Sequence, residues 1–178
     1  HLNTVKMYIT LGRLVDADSE LETRRQTQLA LSGAKPLEIA ETNCELGTVK
    51  WKLGQLETAL SVLKEARLIY EKSGAENLEL LGNITNRIGT VLHEQGEYHD
   101  ALLMFSESLA IKIRCFGTDH VNVASTQNNI AIVLKKQGKF DEALEMYEKA
   151  LKIMIEAFGP YHVSVATTKK NIGIVYHN

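Results

Sequence analysis

Hydrophobic positions recur along this chain at one short spacing and one long spacing. Over short distances they fall three or four residues apart, as at Leu81, Ile84, Ile88, Val91 and Leu92. Side chains at these intervals lie on one face of an α-helix, so the spacing predicts amphipathic helices. Over long distances the whole pattern returns every 42 residues.

The 42-residue period is clearest at small residues. Alanine follows five positions after each member of a glycine series, which comprises Gly12, Gly54, Gly96 and Gly138. Each unit therefore predicts two helices that meet at the glycine, where a left-handed turn forms easily. A single hairpin cannot bury both of its apolar faces, whereas stacked hairpins can.

These units predict an all-α fold of antiparallel helix pairs, with about nine helices. We expect a single array over residues 1–178, with pairs near 2–32, 37–73, 78–115 and 120–157 and a lone helix at 162–178. Because the lone helix leaves an apolar stripe without a partner, we expect the natural protein to continue. Asp119 and Ser73 are candidate caps or turn residues.

The late units carry a specific motif. "FGTDHVNVASTQNNIAIV" begins at Phe116, and "FGPYHVSVATTKKNIGIV" begins at Phe158. The pattern resembles the tetratricopeptide repeat, and its 42-residue unit is similar to the repeats of kinesin light chains and of the nephrocystin-3-like group. The resemblance is weakest before Leu37. It implies a right-handed superhelical solenoid, with a concave groove that is lined by the first helix of each pair and binds an extended or helical peptide.

The polar face of the first helices supplies the candidate groove residues. They are Asn83, Asn86, Arg87, Thr90, Asn128, Asn129, Ile132, Lys135, Lys136, Lys170 and Asn171. Asn86 and Asn128 are equivalent in the repeat, as are Asn129 and Asn171. A carboxamide both donates and accepts hydrogen bonds, which suits the backbone of a bound peptide of any sequence. The alternative interpretation is an ordinary solvated helix face.

Charge changes along this face. Glu41 and Glu45 make its early part acidic, whereas Arg87 and the later lysines make the rest basic. A basic stretch flanked by asparagine favours an acidic peptide or a terminal carboxylate as the ligand. Charges that serve only solubility would give the same pattern.

Two further features of the face have two interpretations each. Trp51, the only tryptophan, is either an aromatic anchor for a ligand or a packing residue between the first two hairpins. Ile132 and Ile174 occupy the position of Thr90 in later repeats, where a polar residue is expected. They indicate either an apolar groove floor or tight packing.

Composition excludes several classes of function. The 20 basic and 22 acidic residues give a net charge of -2, which argues against a nucleic-acid partner. No stretch of about 18 apolar residues exists, so no membrane partner is expected. Cys44 and Cys115 show neither metal-ligand spacing nor a disulfide framework, and a cytoplasmic location fits best.

Catalytic motifs are missing from the sequence. His120 and His162 share a repeat position, which predicts a structural role in the turn, because a catalytic residue is needed only once. No phosphate-binding loop, nucleophile elbow or zinc-binding motif is present. We therefore expect no enzyme activity, no cofactor and no metal.

The function that fits these features is a scaffold or adaptor that binds a peptide segment of a partner protein in the groove. One alternative is a self-assembling, homo-oligomeric repeat module. The other is a regulatory sensor module attached to another domain.

Overall fold

The structure is a computed structural model, which describes residues 2–31, 33 and 35–177. Within them the chain is all-α, and its nine α-helices are α1 (Leu2–Thr10), α2 (Leu14–Ala30), α3 (Pro36–Lys52), α4 (Leu56–Lys72), α5 (Leu78–Glu94), α6 (Tyr98–Phe116), α7 (Val121–Lys136), α8 (Phe140–Phe158) and α9 (Val163–Tyr176). A short 3-10 turn at Ala75–Asn77 precedes α5. The predicted all-α repeat fold and helix number are confirmed. The predicted ends at residues 32 and 178 fall outside the described residues.

The helices form two compact units, one up to Gln95 and one from Gly96 onward. In the first unit, each helix from α1 to α5 packs against the next, and α3 also contacts α5. In the second unit, α6 to α9 pack in the same consecutive manner, and α7 also contacts α9. Each unit therefore brings the first helices of successive repeats into contact. A single array over the whole chain stays a prediction.

Apolar residues at the predicted spacing fill the interior of each unit. Val5, Leu21 and Leu46 are completely buried in one cluster of the first unit. Ala150 and Val165 are equally buried in a cluster that joins α7, α8 and α9. The helices in both units are therefore held together mainly by buried hydrocarbon.

The glycine that ends the first helix of a repeat is left-handed, as predicted. Gly54 has a φ of +76°, and its backbone N–H donates to the carbonyl of Trp51 at 2.9 Å. The next N–H, that of Gln55, donates to Lys50 at 2.9 Å. These bonds satisfy carbonyls at the end of α3 and reverse the chain into α4.

Polar groups replace part of the apolar packing between α2 and α3. Lys50 is only 8% exposed, and its Nζ lies 2.9 Å from Asp18 and 3.3 Å from Glu22. Asn43 is fully buried, where it accepts from Arg25 Nε at 2.8 Å. These polar pairs join α2 to α3 in the part of the chain that matches the repeat pattern weakly.

The two repeated histidines are helix caps. Nδ1 of His120 accepts from the backbone N–H of Asn122 at 3.1 Å, and His162 bonds Ser164 in the same way at 3.2 Å. Each ring stacks on the phenylalanine four residues earlier, with centroids 4.4 Å apart. The predicted structural role of these histidines is confirmed. Asp119 lies in the turn, and the N-cap of α7 is His120.

Candidate functional site

A pocket of about 320 Å³ lies in the first unit where α5 packs beside α3. We call it the charged pocket, and its lining is Glu41, Cys44, Glu45, Tyr70, Leu80, Asn83, Ile84 and Arg87. It contains the predicted groove residues Asn83 and Arg87, together with both predicted acidic residues. Arg87 therefore does not belong to a separate basic stretch, because α5 places it against the same pocket as the two glutamates.

A pocket of about 280 Å³ occupies the same place in the second unit, where α9 packs beside α7. We call it the neutral pocket, and its lining is Ser125, Asn128, Asn129, Ile132, Met154, Val163, Ser164, Thr167, Thr168 and Asn171. All eight residues of the charged pocket have their counterpart, 84 residues further on, in this lining. The repeat thus builds the same concavity twice, while the side chains that line it change from charged to uncharged.

A cavity of about 190 Å³ lies further along α3 in the first unit. We call it the apolar cavity, and its lining is Gly47, Thr48, Trp51, Leu63, Arg87, Thr90 and Val91. Trp51 is half-buried here. Its indole ring therefore packs partly against the protein and is partly open to a ligand, so both interpretations of this residue remain predictions. Arg87 lines this cavity as well as the charged pocket.

Arg87 ties α5 to α3. Its Nη1 donates to the backbone carbonyl of Cys44 at 3.2 Å and to the hydroxyl of Thr48. Glu45 is paired instead with Arg24 of α2, at 3.2 Å. Arg87 is thus positioned by hydrogen bonds to neutral groups of α3, on the border between two concavities.

The thiol in the charged pocket is held neutral. Burial raises the pKa of Cys44 to about 11, against an opposing effect from the nearby Arg87. Burial likewise raises the pKa of the Tyr70 hydroxyl, and the neighbouring Cys44 and Glu41 add to that shift. A thiolate is the reactive form of cysteine, so this environment suppresses nucleophilic chemistry at Cys44.

Asn128 has a structural partner across the helix pair. Its Nδ2 donates to the hydroxyl of Thr168 on α9 at 3.0 Å and lies 3.6 Å from the sulfur of Met154. The side chains of Ser125 and Asn171, by contrast, have no hydrogen-bond partner in the part of the chain that the structure describes. The free donors and acceptors of the neutral pocket therefore include the side chains of Ser125 and Asn171.

The remaining predicted residues lie away from these concavities. Lys135, Lys136 and Lys170 are absent from the lining of the neutral pocket, and Lys136 and Lys170 are exposed. Burial lowers the pKa of Lys135, with a smaller effect from Lys136. Asn86 is half-buried and lies outside the charged pocket and the apolar cavity.

Sequence reasoning missed the residues that the second helix of a repeat contributes. Tyr70 and Met154 reach the pockets from α4 and α8, although only first helices were expected to line a groove. Ser164 and Thr168 were missed because they lie near the buried stripe of α9.

Sequence comparison places the chain in a family. The profile of the tetratricopeptide repeat matches residues 38–114, 80–156 and 122–177. The chain belongs to the tetratricopeptide repeat family. The resemblance drawn from the sequence is thereby confirmed, and this tetratricopeptide repeat protein is a protein–protein interaction module. No curated protein sequence matches it.

Solved structures share the fold of this tetratricopeptide repeat protein. BtubC (BKLC) from P. vanneervenii has a TM-score of 0.82 at 21% identity, over 97% of this chain and 69% of that protein. A putative kinesin light chain of Podosopora anserina with nearly identical TPR-like repeats has a TM-score of 0.80 at 18% identity, over 98% and 83% of the two chains. The Rap conjugation gene regulator of plasmid pLS20, solved in complex with the Phr* peptide, has a TM-score of 0.71 at 16% identity, over 97% and 52%. These low identities establish the fold alone.

Within the described residues, this tetratricopeptide repeat protein has no group of three His, Cys, Asp or Glu side chains that could hold a metal ion. None of its helices, over the same residues, is long and apolar enough to cross a bilayer.

Proposed function

We propose that this protein binds a peptide segment of a partner protein along the first helices of its repeats, as a scaffold or adaptor. The observation that carries this proposal is the recurrence of one eight-residue concavity in two repeats with different linings. A framework that keeps its concavity while its side chains change suits recognition of ligand residues of different chemistry. The solved Rap regulator, which shares this fold and was determined with a bound peptide, supports a peptide as the ligand.

The neutral pocket is the proposed contact for the main chain of the peptide. Its lining carries no charge, so a charged ligand group buried there would lack a counter-ion. The Asn171 carboxamide and the Ser125 hydroxyl can bond the N–H and C=O groups of an extended backbone. Exposed Lys170, adjacent to Asn171, would pair with an acidic residue of the ligand and contribute up to about 1 kcal/mol.

The proposed action is binding without catalysis, in the cytoplasm and without nucleic acid. Cys44 is held as a neutral thiol, and Nδ1 of each repeated histidine is engaged in a cap. Cys44 and Cys115 are both free thiols, which fits a reducing compartment.

Selection from a displayed peptide library tests the proposal. Peptides selected on the unaltered protein should bind at least tenfold more weakly to Ser125→Tyr/Asn171→Tyr, because the two rings would fill the neutral pocket. The variant Glu148→Tyr, on the exposed surface of α8, is the matched control and should bind normally. Equal binding by all three proteins, or failure to select any peptide, would contradict the proposal.

Self-association is a second candidate function, and the surface of α9 favours it. Val163 and Tyr176 are 71% and 70% exposed, and a Cβ built at Gly173 meets no atom within 4 Å. Light scattering over a concentration series tests this alternative. A mass that stays that of one chain up to high concentration would exclude it.

A further inference from the structure

The apolar cavity of the first unit is made by small side chains beneath an aromatic one. Trp51 on α3, Leu63 on α4 and Val91 on α5 supply its apolar walls. Gly47 contributes no side chain, and Thr48 and Thr90 contribute only short ones. The volume of about 190 Å³ is that of one large side chain, and an apolar cavity of about 150 Å³ suffices to bind benzene.

The same positions two repeats later carry larger side chains. Gly47 and Leu63 correspond to Ala131 and Tyr147, which are both larger. Thr48 and Thr90 correspond to Ile132 and Ile174, each of which adds a methylene group and replaces the hydroxyl with a methyl. At all four positions the first unit therefore carries the smaller side chain, which leaves space for the cavity.

Both threonine hydroxyls at the cavity, and one nitrogen of Arg87, already have partners. The hydroxyl of Thr48 donates to Cys44 O at 2.9 Å, and that of Thr90 donates to Asn86 O at 3.2 Å. The Nη1 of Arg87 is bonded to the carbonyl of Cys44 and the hydroxyl of Thr48. Because an ordered water needs two to four polar partners, this environment favours an apolar occupant over water.

We propose that the apolar cavity binds one apolar side chain of phenylalanine size from the bound peptide. This inference rests on the proposed peptide-binding function. Trp51 offers the incoming ring an aromatic neighbour, and aromatic pairs contribute beyond the area that they bury. Arg87 lines the cavity and is exposed, and the first unit would thus recognise a specific side chain.

The indole N–H signal of Trp51 provides a direct readout, because the chain has only one tryptophan. In ¹⁵N-labelled protein, N-acetyl-phenylalaninamide should shift this signal in a saturable manner, whereas N-acetyl-alaninamide should not. The variant Thr48→Ile/Thr90→Ile, which carries the residues of the later repeats, should bind the phenylalanine probe at least tenfold more weakly than the unaltered protein. The matched variant Thr48→Val/Thr90→Val removes the same hydroxyls without adding length, so the isoleucine variant should bind the phenylalanine probe at least tenfold more weakly than this valine variant.

Three results of the probe measurement would overturn the inference. They are an equal shift with the alanine probe, no shift with either probe, and undiminished binding by the isoleucine variant. The melting temperature is the second measurement: the isoleucine variant should melt higher than the valine variant, since its added carbons fill space, and a lower value would show that no room exists. Failure of the phenylalanine probe to bind, while peptides are still selected at the neutral pocket, would overturn this inference and leave the proposed function standing. Binding of the probe without selection of any peptide would overturn the proposed function, and with it the assignment of the cavity's occupant to a bound peptide.

Discussion

The ammonium of Lys112 on α6 donates to the hydroxyl of Thr126 on α7 at 3.0 Å, and no carboxylate pairs with it in the described part of the chain. Lys112 is only 5% exposed. The equivalent positions of neighbouring repeats hold Tyr70 and Met154, which carry no charge. The second unit therefore contains a buried cation with a single neutral partner, which lowers the stability of the folded state.

Replacement of this lysine should stabilise the protein. Lys112→Met places at this position the residue found one repeat later, and we expect the free energy of unfolding to rise by about 2 kcal/mol. Urea denaturation followed by circular dichroism measures the change. Lys136→Met, at an exposed position, is the control and should alter stability by less than about 0.5 kcal/mol. A loss of stability in Lys112→Met would mean that the ammonium is compensated in the native protein.

The pH dependence of that gain should identify Lys112 as its origin. Burial lowers the pKa of Lys112 to about 8, from an ordinary value of 10.5. Between these two values the unfolded chain holds a proton that the folded chain has released, so a rise in pH favours the folded state. The advantage of Lys112→Met over the unaltered protein should be largest at pH 7 and should shrink by pH 10. An advantage that does not change with pH would exclude titration of this group.

Two glycines at equivalent repeat positions should respond oppositely to alanine. A Cβ at Gly47 would lie 2.5 Å from Cγ and 2.6 Å from Cδ2 of buried Leu63, whereas one at Gly173 meets no atom within 4 Å. We expect Gly47→Ala to lower the free energy of unfolding by about 1–3 kcal/mol through overpacking. Gly173→Ala should raise it by up to about 1 kcal/mol through helix propensity.

A double variant separates overpacking at Gly47 from a general sensitivity of α3. Leu63→Ala removes the atoms that the new methyl group would meet, so Gly47→Ala should have a much smaller effect in that background. Thermal and urea unfolding of the four proteins of this cycle give the coupling. Additive effects of the two substitutions would contradict the close approach of α3 and α4.

The histidine caps should be replaceable only by other capping side chains. His120→Ala removes the acceptor of the Asn122 N–H and the stacking on Phe116, and should lower the free energy of unfolding by about 1 kcal/mol. His120→Asn restores a cap acceptor and should recover part of that loss. Amide hydrogen exchange at Asn122 reports the cap directly. Exchange at an unchanged rate in His120→Ala would contradict the role of this histidine.

The helices could be predicted because their determinants are local and occur several times in the chain. Gly54 and its counterpart Gly138, two repeats later, end first helices in the same way. One glycine pattern therefore predicted the position of each hairpin. The side-chain partners could not be predicted in this way. Asn128 lines the neutral pocket, and nothing in the sequence indicated that it also bonds Thr168, 40 residues away on a neighbouring helix. Spacing within one helix does not show which of its polar residues the next helix will use.

The cavity and the buried lysine escaped prediction for a different reason. A cavity depends on the summed volumes of residues from three helices, so neither Gly47 nor Thr90 alone predicts it. Lys112 follows a helical spacing that suits the surface as well as the core, and only the packing of α6 against α7 buries it. Both features arise from tertiary contacts between repeats and not from the period itself.

The position of Arg87 makes its two concavities thermodynamically dependent on each other. The Arg87 side chain lines both the charged pocket and the apolar cavity, and among the described residues its hydrogen-bond acceptors are two groups of α3. A ligand group that displaces it on one side changes the shape and charge of the other. Linkage then requires that occupancy of either concavity alter the affinity of the other by the same factor. Two adjacent residues of one ligand would therefore bind with coupled free energies, so that their joint binding free energy differs from the sum of their separate contributions.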